Sequence, residues 1–453
     1  MNEQAGMNRL ERRAGASLAG IFVFRMLGLF LILPVFALYA ERLAGTTPLL
    51  VGIAIGAYGL TQAILQIPFG MLSDRIGRKP VIVAGLLLFA LGSVIAAQSG
   101  TIWGVILGRA IQGSGAVAAA IMALAADLTR EEHRTKVMAM IGMSIGMAFA
   151  LALILGPILN DHIGVPGIFW VTAGLALAGI LIILFAVPTP PHSRLHRDAE
   201  AVPALLARVF RDTQLLRLDF GIFTLHMMLT SVFLALPLSL RDAGLVESRH
   251  WLLYLPVLIA SMLLMVPFVI AAEKHGRMKS VFLLAVALLV VASLIFWQGA
   301  HLLWALTVGL VVFFTAFNVL EATLPSLVSR FAPADGKGSA MGVYSTSQFL
   351  GAFAGGAIGG WAHQHFGVMA VYLATAVVAL LWLGVAAGMR KPRKLRNRVL
   401  KVSASNEDVV LGVLRGLDGV VEVAKDPMEP LLYLKYDADM IEDDGIEAAL
   451  SAY

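Results

Sequence analysis

Four ionisable side chains, Arg25, Arg109, His226 and Glu321, fall inside long apolar stretches of this chain. An arginine at the centre of a lipid-buried helix costs about 2.5–3.5 kcal/mol on insertion scales, so each should face a partner or a watery cavity. Glu321 lies well inside its stretch, one helical turn after Asn318. Burial disfavours a charged carboxylate and a neighbouring arginine favours it. A residue balanced between the two can take up and release a proton, the chemistry assigned first to Glu321 and second to His226. A static Arg25–Glu321 ion pair and direct contact of Glu321 with a solute are the competing readings. Arg109 sits in Leu107-Gly108-Arg109-Ala110-Ile111-Gln112-Gly113-Ser114-Gly115, with Gln112 as a polar neighbour. Its bland alternative is membership of a structural pair.

A second set of charges is packed into residues 68–79, Pro-Phe-Gly-Met-Leu-Ser-Asp-Arg-Ile-Gly-Arg-Lys. A weaker copy at 267–277 restores Pro267, Phe268, Glu273, Lys274, Gly276 and Arg277. Asp74 is expected just beyond a helix end, where it can cap the positive N-terminus of a neighbouring helix for about 0.3–1 kcal/mol. Gly70 permits close helix approach and Gly77 a tight turn. Arg75, Arg78 and Lys79 supply positive charge, and Arg78 can reach Asp127. The alternative is a solvated turn whose charges only set topology.

The elements that hold these residues are apolar helices. The chain of 453 residues is 59% hydrophobic and 14% charged, with mean hydropathy +0.83, whereas soluble proteins average about 25% charged. A bilayer core of about 30 Å needs roughly 20 apolar residues per crossing. Twelve such runs occur near 17–40, 50–72, 80–98, 102–126, 137–160, 167–187, 217–240, 251–272, 280–298, 303–329, 339–363 and 369–388. Both copies of the charged hairpin lie between the second and third runs of a half, and internal repetition of this kind marks secondary transporters. The expected fold class is an all-α membrane protein of twelve transmembrane helices in two pseudo-symmetric six-helix bundles.

Net charge +5 and a pI near 9.4 have a topological explanation, so no nucleic acid is invoked. Alternate loops carry Arg9, Arg12, Arg13, Arg130, Arg134, Lys136, Arg194, Arg197, Arg208, Arg211, Arg217, Lys279 and Lys337 besides the hairpin charges. The opposite loops carry Arg42, Arg241 and Arg249, an asymmetry of about six to one. By the positive-inside rule both termini are cytoplasmic. The domains expected are a bundle at 1–187, a linker with a short surface helix at 188–216, a bundle at 217–389, and a basic linker with a small domain at 390–453. Pro188, Pro190 and Pro191 end the sixth run, and Val202, Leu205, Leu206, Val209 and Phe210 recur at helical spacing.

Arg390, Lys391, Arg393, Lys394, Arg396 and Arg398 read as a stop-transfer patch at an anionic leaflet. Beyond them, strands at 399–402, 420–423 and 431–436 alternate with helices at 406–417 and 440–451. That β-α-β-β-α order is a ferredoxin-like fold lacking its last strand. About 55 residues make a marginal core, so packing or oligomerisation through this domain would support it. Cysteine is absent, which removes thiolate metal sites and cysteine nucleophiles. No paired catalytic acids, metal-ligand cluster or nucleophile elbow is evident, so the chain is expected to be neither an enzyme nor a metal or cofactor protein.

The stretch Gly70-x-Leu72-Ser73-Asp74-Arg75-x-Gly77-Arg78-Lys79 resembles the loop 2–3 signature of the major facilitator superfamily at every defining position. The resemblance extends over essentially the whole chain, including the C-terminal domain. It implies that Asp74, Arg78 and Asp127 help latch the cytoplasmic side shut. It also implies that spans one, four, seven and ten line a central cavity, placing Arg25, Arg109, His226 and Glu321 together. The Arg109 stretch is similar to the family's span-four motif associated with proton coupling. In span five only Gly156-Pro157 of the antiporter motif survives, with Ala152 and Asn160 at its outer glycine positions, which counts against drug–proton exchange. The resemblance thus implies a bacterial inner-membrane carrier of a small solute, with the proton as coupling ion and efflux slightly favoured. A membrane sensor that controls the C-terminal domain is the alternative.

Overall fold

A computed structural model of the chain describes residues 6–189, 203–392, 395–402, 406–426, 430–441 and 443–450. The linker residues Pro190, Pro191, Arg194, Arg197 and Val202, and Arg393 and Lys394 of the basic patch, lie outside the described residues.

The first half begins with α1 (Arg9–Phe30), whose start is fixed by a reciprocal cap: Asn8 accepts from the Glu11 amide and Glu11 from the Asn8 amide. A short α2 (Phe36–Ala40) extends the first crossing; α3 (Pro48–Ile76) and α4 (Arg78–Gln98) follow. The fourth crossing breaks into α5 (Ile102–Ser114) and α6 (Ala118–Asp127). The next element, α7 (Glu131–Leu181), holds Gly164 at φ +66 and ψ 173, backbone geometry open essentially to glycine alone. Arg130 Nε meets Glu11 at 2.9 Å, and Arg13 donates to the Phe185 carbonyl at 3.2 Å. Both ends of this segment therefore lie beside the start of α1, so the chain crosses outward, reverses at Gly164 and returns.

The second half holds a short α8 (Pro203–Val209), then α9 (Thr213–Asp242), α10 (His250–Glu273) and α11 (Met278–Gly299). It closes with α12 (Leu303–Phe331), α13 (Lys337–Phe366) and α14 (Val368–Ala387). Among the described residues 10 helices are long and apolar enough to cross a bilayer. The reversal in α7 supplies one further crossing. Glycine-rich α13, packed between α3 and α9, supplies another. Twelve crossings result, in the positions expected.

The face bearing the chain start and the charged hairpins is here the basic face, and its opposite the far face. The two bundles meet closely in the far half. A Cβ on Gly52 of α3 would lie 1.9 Å from the Gly356 carbonyl of α13, and one on Gly360 would lie 2.6 Å from the Pro48 carbonyl. The Leu49 amide donates to Gln364 at 3.3 Å, and Arg241 reaches Glu41 at 2.7 Å. Phe149 of α7 packs on Phe30 of α1 and across the interface on Phe314 and Phe317 of α12. Toward the basic face, Gly70 of α3 faces Ala119 of its own bundle, and open space surrounds Gly142 and Gly146. The far side is shut.

The C-terminal domain comprises β1 (Leu395–Lys401), α15 (Glu407–Arg415), β2 (Val420–Lys425), β3 (Leu431–Asp437) and α16 (Asp443–Leu450). Its sheet is antiparallel in the order β1-β3-β2, consistent with the expected truncated ferredoxin-like arrangement. Val410, Leu414, Leu432, Leu434, Tyr436 and Ile446 form its core. One expectation is corrected here. Arg396 and Arg398 belong to β1, and Arg398 pairs with Glu447 of α16; they are domain residues rather than part of a stop-transfer patch.

Candidate transport site and basic-face hairpin

In the first bundle the two buried guanidiniums converge on one aromatic ring. The Arg25 and Arg109 Cζ atoms lie 5.9 and 5.2 Å from the Tyr58 ring centroid, close enough for cation–π attraction. Arg25 is 1% exposed; it donates to the Gln62 side-chain oxygen and, at 3.3 Å, to the Gly115 carbonyl where the fourth crossing breaks. Gln62 in turn donates to Gln66 at 3.1 Å. Arg109, 2% exposed, donates to Gln112 at 2.9 Å, and Gln112 donates to Ser93 at 2.7 Å. Arg25 Nε and Nη1 and Arg109 Nε are buried without acceptors. Among the described residues neither arginine meets a carboxylate, so the competing Arg25–Glu321 pair does not form.

In the second bundle the charges are of the opposite kind. His226 Nε2 of α9 lies 3.5 Å from Glu321 Oε1 of α12 and 2.8 Å from the Gln348 amide of α13. The Glu321 side chain keeps 33% exposure. Asn318 turns to α10 and donates to Ser261 at 3.3 Å. Sequence reasoning missed a second acid, Asp219 of α9, which is 6% exposed with Oδ2 unpartnered. It lies two residues inside the margin of the apolar run at 217–240. The Asp212 side chain caps α9 through the Gln214 and Leu215 amides; that N-cap signal would have placed Asp219 two turns inside the helix. Tyr58, Gln62, Gln66, Tyr344 and Gln348 were also missed, since a single polar residue in an apolar helix gives no indication of which way it faces.

The two groups approach one another across the bundle interface. The Tyr58 ring that carries both arginines stacks edge-on against Phe349 of α13, centroids 6.2 Å apart. Phe349 follows Gln348, the partner of His226. Phe317 touches both the His226 ring, at 5.8 Å, and Phe149. Phe317 precedes Glu321 by one turn of α12, so the Phe149–Phe317 contact lies on the far side of the His226–Glu321 pair.

The basic-face hairpin is built largely as its residue types suggested, with one correction. Asp74 lies within the last turn of α3 and pairs with Arg78 four residues on, instead of capping a neighbouring helix. Arg78 also donates to Ser73 at 2.8 Å and reaches Asp127, at the end of α6, at 3.3 Å. Gly77 turns the chain at φ +98, Gly70 brings α3 against Ala119, and Lys79 donates to the Val187 carbonyl at 2.6 Å. Arg75 is exposed. The second copy is tied to the corresponding span through its other charge. There the hairpin acid Glu273 meets Arg330 of α12 at 2.6 Å, and Arg277 is exposed.

The C-terminal domain sits on the loop joining α12 to α13. Glu422 of β2 accepts from the Ala334 amide at 3.1 Å and from Arg208 of α8 at 2.8 Å, and Arg208 also reaches Asp335 at 3.5 Å. Lys435 of β3 donates to the Ala332 carbonyl at the end of α12, and burial pushes its ammonium below the usual lysine range. A lysine at that helix end suits the negative pole of the helix dipole. Asn397 adds a bond to the Ser329 carbonyl at 3.3 Å.

Two six-helix bundles with a repeated hairpin, and charged groups at mid-depth on both sides of their interface, define a secondary transporter fold. The chain belongs to the Major Facilitator Superfamily, whose sequence profile matches residues 18–247 and 218–415. It is 48% identical over 443 residues to the inner membrane transport protein YajR of Escherichia coli (strain K12), covering 97% of each chain. It is 28% identical over 349 residues to the multidrug resistance protein MdtH of Aeromonas salmonicida (strain A449), covering 75% of this chain and 85% of that one. Two solved structures share its fold, the human organic anion transporter MFSD10 and the nucleoside transporter NupG. Their TM-scores are 0.60 and 0.67 at 21% and 14% identity, and each match covers 84% of this chain and 100% of the other.

Proposed function

We propose that this carrier moves a small solute across a bacterial inner membrane by alternating access, drives it with protons, and favours efflux. The observation that carries this reading is the arrangement around Glu321. A partly exposed acid stands beside His226, on the basic-face side of a shut aromatic barrier, opposite two buried arginines of the other bundle. A proton on Glu321 changes the charge of the chamber between two states that differ in which side is open. One charge moved across the membrane is worth about 2.3 kcal/mol per 100 mV, enough to bias the cycle. The asymmetry of lysine and arginine supports a cytoplasmic basic face and cytoplasmic termini.

Asp74, Arg75, Gly77, Arg78, Lys79 and Asp127, with Gly70, act in this reading as a latch for the basic face. Arg25, Arg109, Gln112, His226, Asn318 and Glu321 form the coupling and cavity set. Efflux rests on family association, including a relative named for multidrug resistance; the missing antiporter glycines at Ala152 and Asn160 weigh against a drug as the exchanged solute.

Reconstitution into liposomes with an imposed pH gradient tests the proposal. Solute flux should follow the gradient and fall at least tenfold in Glu321→Gln, with folding intact by melting temperature. Flux indifferent to both the gradient and that substitution would refute proton coupling. A second reading, a ligand sensor acting on the C-terminal domain, draws support from the contacts of Glu422 and Lys435 with the α12–α13 loop. It requires ligand binding with no flux.

A further inference from the structure

Arg25 and Arg109 are held by neutral groups alone. Both hydrogen bonds of Arg25 leave from Nη2, one toward Gln62 and one toward the Gly115 carbonyl. Arg109 uses Nη1 toward Gln112 and Nη2 toward the Ile55 carbonyl at 3.4 Å. Arg25 Nε and Nη1 and Arg109 Nε are buried donors that meet no acceptor among the described residues. Amides and carbonyls thus satisfy part of the hydrogen bonding and none of the charge. A buried ion that is neither paired nor fully hydrogen-bonded is costly to keep.

Their own bundle offers nothing to balance them. No aspartate or glutamate occurs in residues 12–40, 42–73, 75–126, 133–160 or 162–187, so the acids of the first half stand at the ends of its crossings. In the second bundle Glu321 is engaged by His226. A water molecule can accept from the free N–H groups, but it brings no charge. The complement of two such cations is an anion. Both guanidiniums lie against Tyr58, whose ring meets Phe349 of the other bundle. The pair therefore stands at the interface that alternating access opens and closes. Tyr58, Gln62 and Gln66 follow one another at four-residue spacing on one face of α3. They form a polar stripe that leads from the arginines toward the basic face, with Gln62 bonded to Gln66 along it.

We infer that Arg25 and Arg109 form an anion subsite, and that the solute is a small organic anion whose carboxylate or phosphate oxygens accept from Arg25 Nε and Nη1 and from Arg109 Nε. The inference rests on the reading of this chain as a carrier and names the chemical class of what it carries. Charged acceptors make the strongest hydrogen bonds a guanidinium offers, and its planar donor set suits carboxylate and phosphate oxygens. A neutral or cationic solute would leave both buried charges as they are.

Equilibrium binding of radiolabelled succinate and inorganic phosphate to the full chain in phosphatidylcholine nanodiscs tests this. Saturable binding of at least one of the two is expected, with no competition from uncharged sorbitol. Arg25→Gln and Arg109→Gln should each weaken it at least tenfold. If a glutamine variant misfolds by melting temperature, Arg25→Lys or Arg109→Lys carries the test, since lysine keeps the charge and loses the planar donor set; several-fold weaker binding is expected there. Binding of neither anion, or equal binding by parent and arginine variants, overturns the inference. Adding anionic phosphatidylglycerol to the nanodiscs separates a solute from a lipid. Loss of succinate and phosphate binding to that lipid would show a headgroup in the subsite and overturn the solute assignment. Failure here differs from failure of the carrier reading. Proton-driven flux without anion binding sinks only the anion class, whereas arginine-dependent binding of an anion that is never moved sinks the carrier and leaves the subsite.

Discussion

Arg78 does the work of several residues at the basic face: its guanidinium ties the end of α3, through Asp74 and Ser73, to Asp127 at the end of α6. The Asp127 side chain is 1% exposed, so Arg78→Ala takes a cation away from a buried carboxylate. Breaking a buried pair this way costs about 3–5 kcal/mol. Arg78→Ala should lower the melting temperature of the purified protein markedly, and Asp127→Asn in that background should recover part of the loss. Equal melting of Arg78→Ala and the parent would show that the pair carries no such weight. At this scale the sequence was generous with identities and poor with partners. Arg25, Arg109, His226 and Glu321 were visible because charge in an apolar run is conspicuous. That Arg25 meets Gln62 and that Glu321 meets His226 was not visible, because those contacts join helices far apart in the chain.

At the scale of elements, glycine decides two features. Gly164 reverses α7 in backbone geometry costing a side-chain-bearing residue about 1–3 kcal/mol, so Gly164→Ala should reduce thermal stability by that order. Unchanged unfolding would mean the turn relaxes freely. Gly52 and Gly356 let α3 and α13 touch backbone to backbone in the far half. A methyl group at Gly52 would strike the Gly356 carbonyl, so Gly52→Ala should hold the far face open. The chain has no cysteine of its own, and the pair Leu49→Cys with Gln364→Cys can report closure by crosslinking. Crosslinking should fall several-fold when Gly52→Ala is added; an undiminished yield would exclude the glycine contact as a condition of closure. Which glycines are crowded could not be read from the chain, since Gly142 and Gly146 look the same in sequence and meet open space.

For the whole molecule, the C-terminal domain is held against the second bundle because Glu422, Lys435 and Asn397 bind the 329–335 segment and Arg208 ties α8 to the same place. Removing the Glu422 carboxylate frees the Ala334 amide and leaves Arg208 only its longer contact with Asp335. Glu422→Ala should therefore raise the rate of proteolytic cleavage near residues 388–395 several-fold while leaving membrane insertion unchanged. Cleavage at the parental rate would show that the domain is held by something else. The two hairpin ties use different members of the repeat: Arg78 pairs with Asp127 in the first half, and Glu273, the counterpart of Asp74, pairs with Arg330 in the second. A carrier whose halves differ in this way can favour one of its two end states.

The sequence by itself determined the number of crossings, the duplication, the hairpin and the small appended domain. These follow from local causes: apolar run length, turn chemistry, and alternation of side chains along a strand. The order of the charged residues by helix was also legible. Only the tertiary structure decided that both arginines share Tyr58, that Asp219 is buried, that Asp74 turns inward to Arg78, and that the far side is the closed one. Each of these depends on how a helix is rotated about its axis. In a bilayer, where nearly every face is apolar, the hydrophobic pattern leaves that rotation undetermined until the neighbouring helices pack.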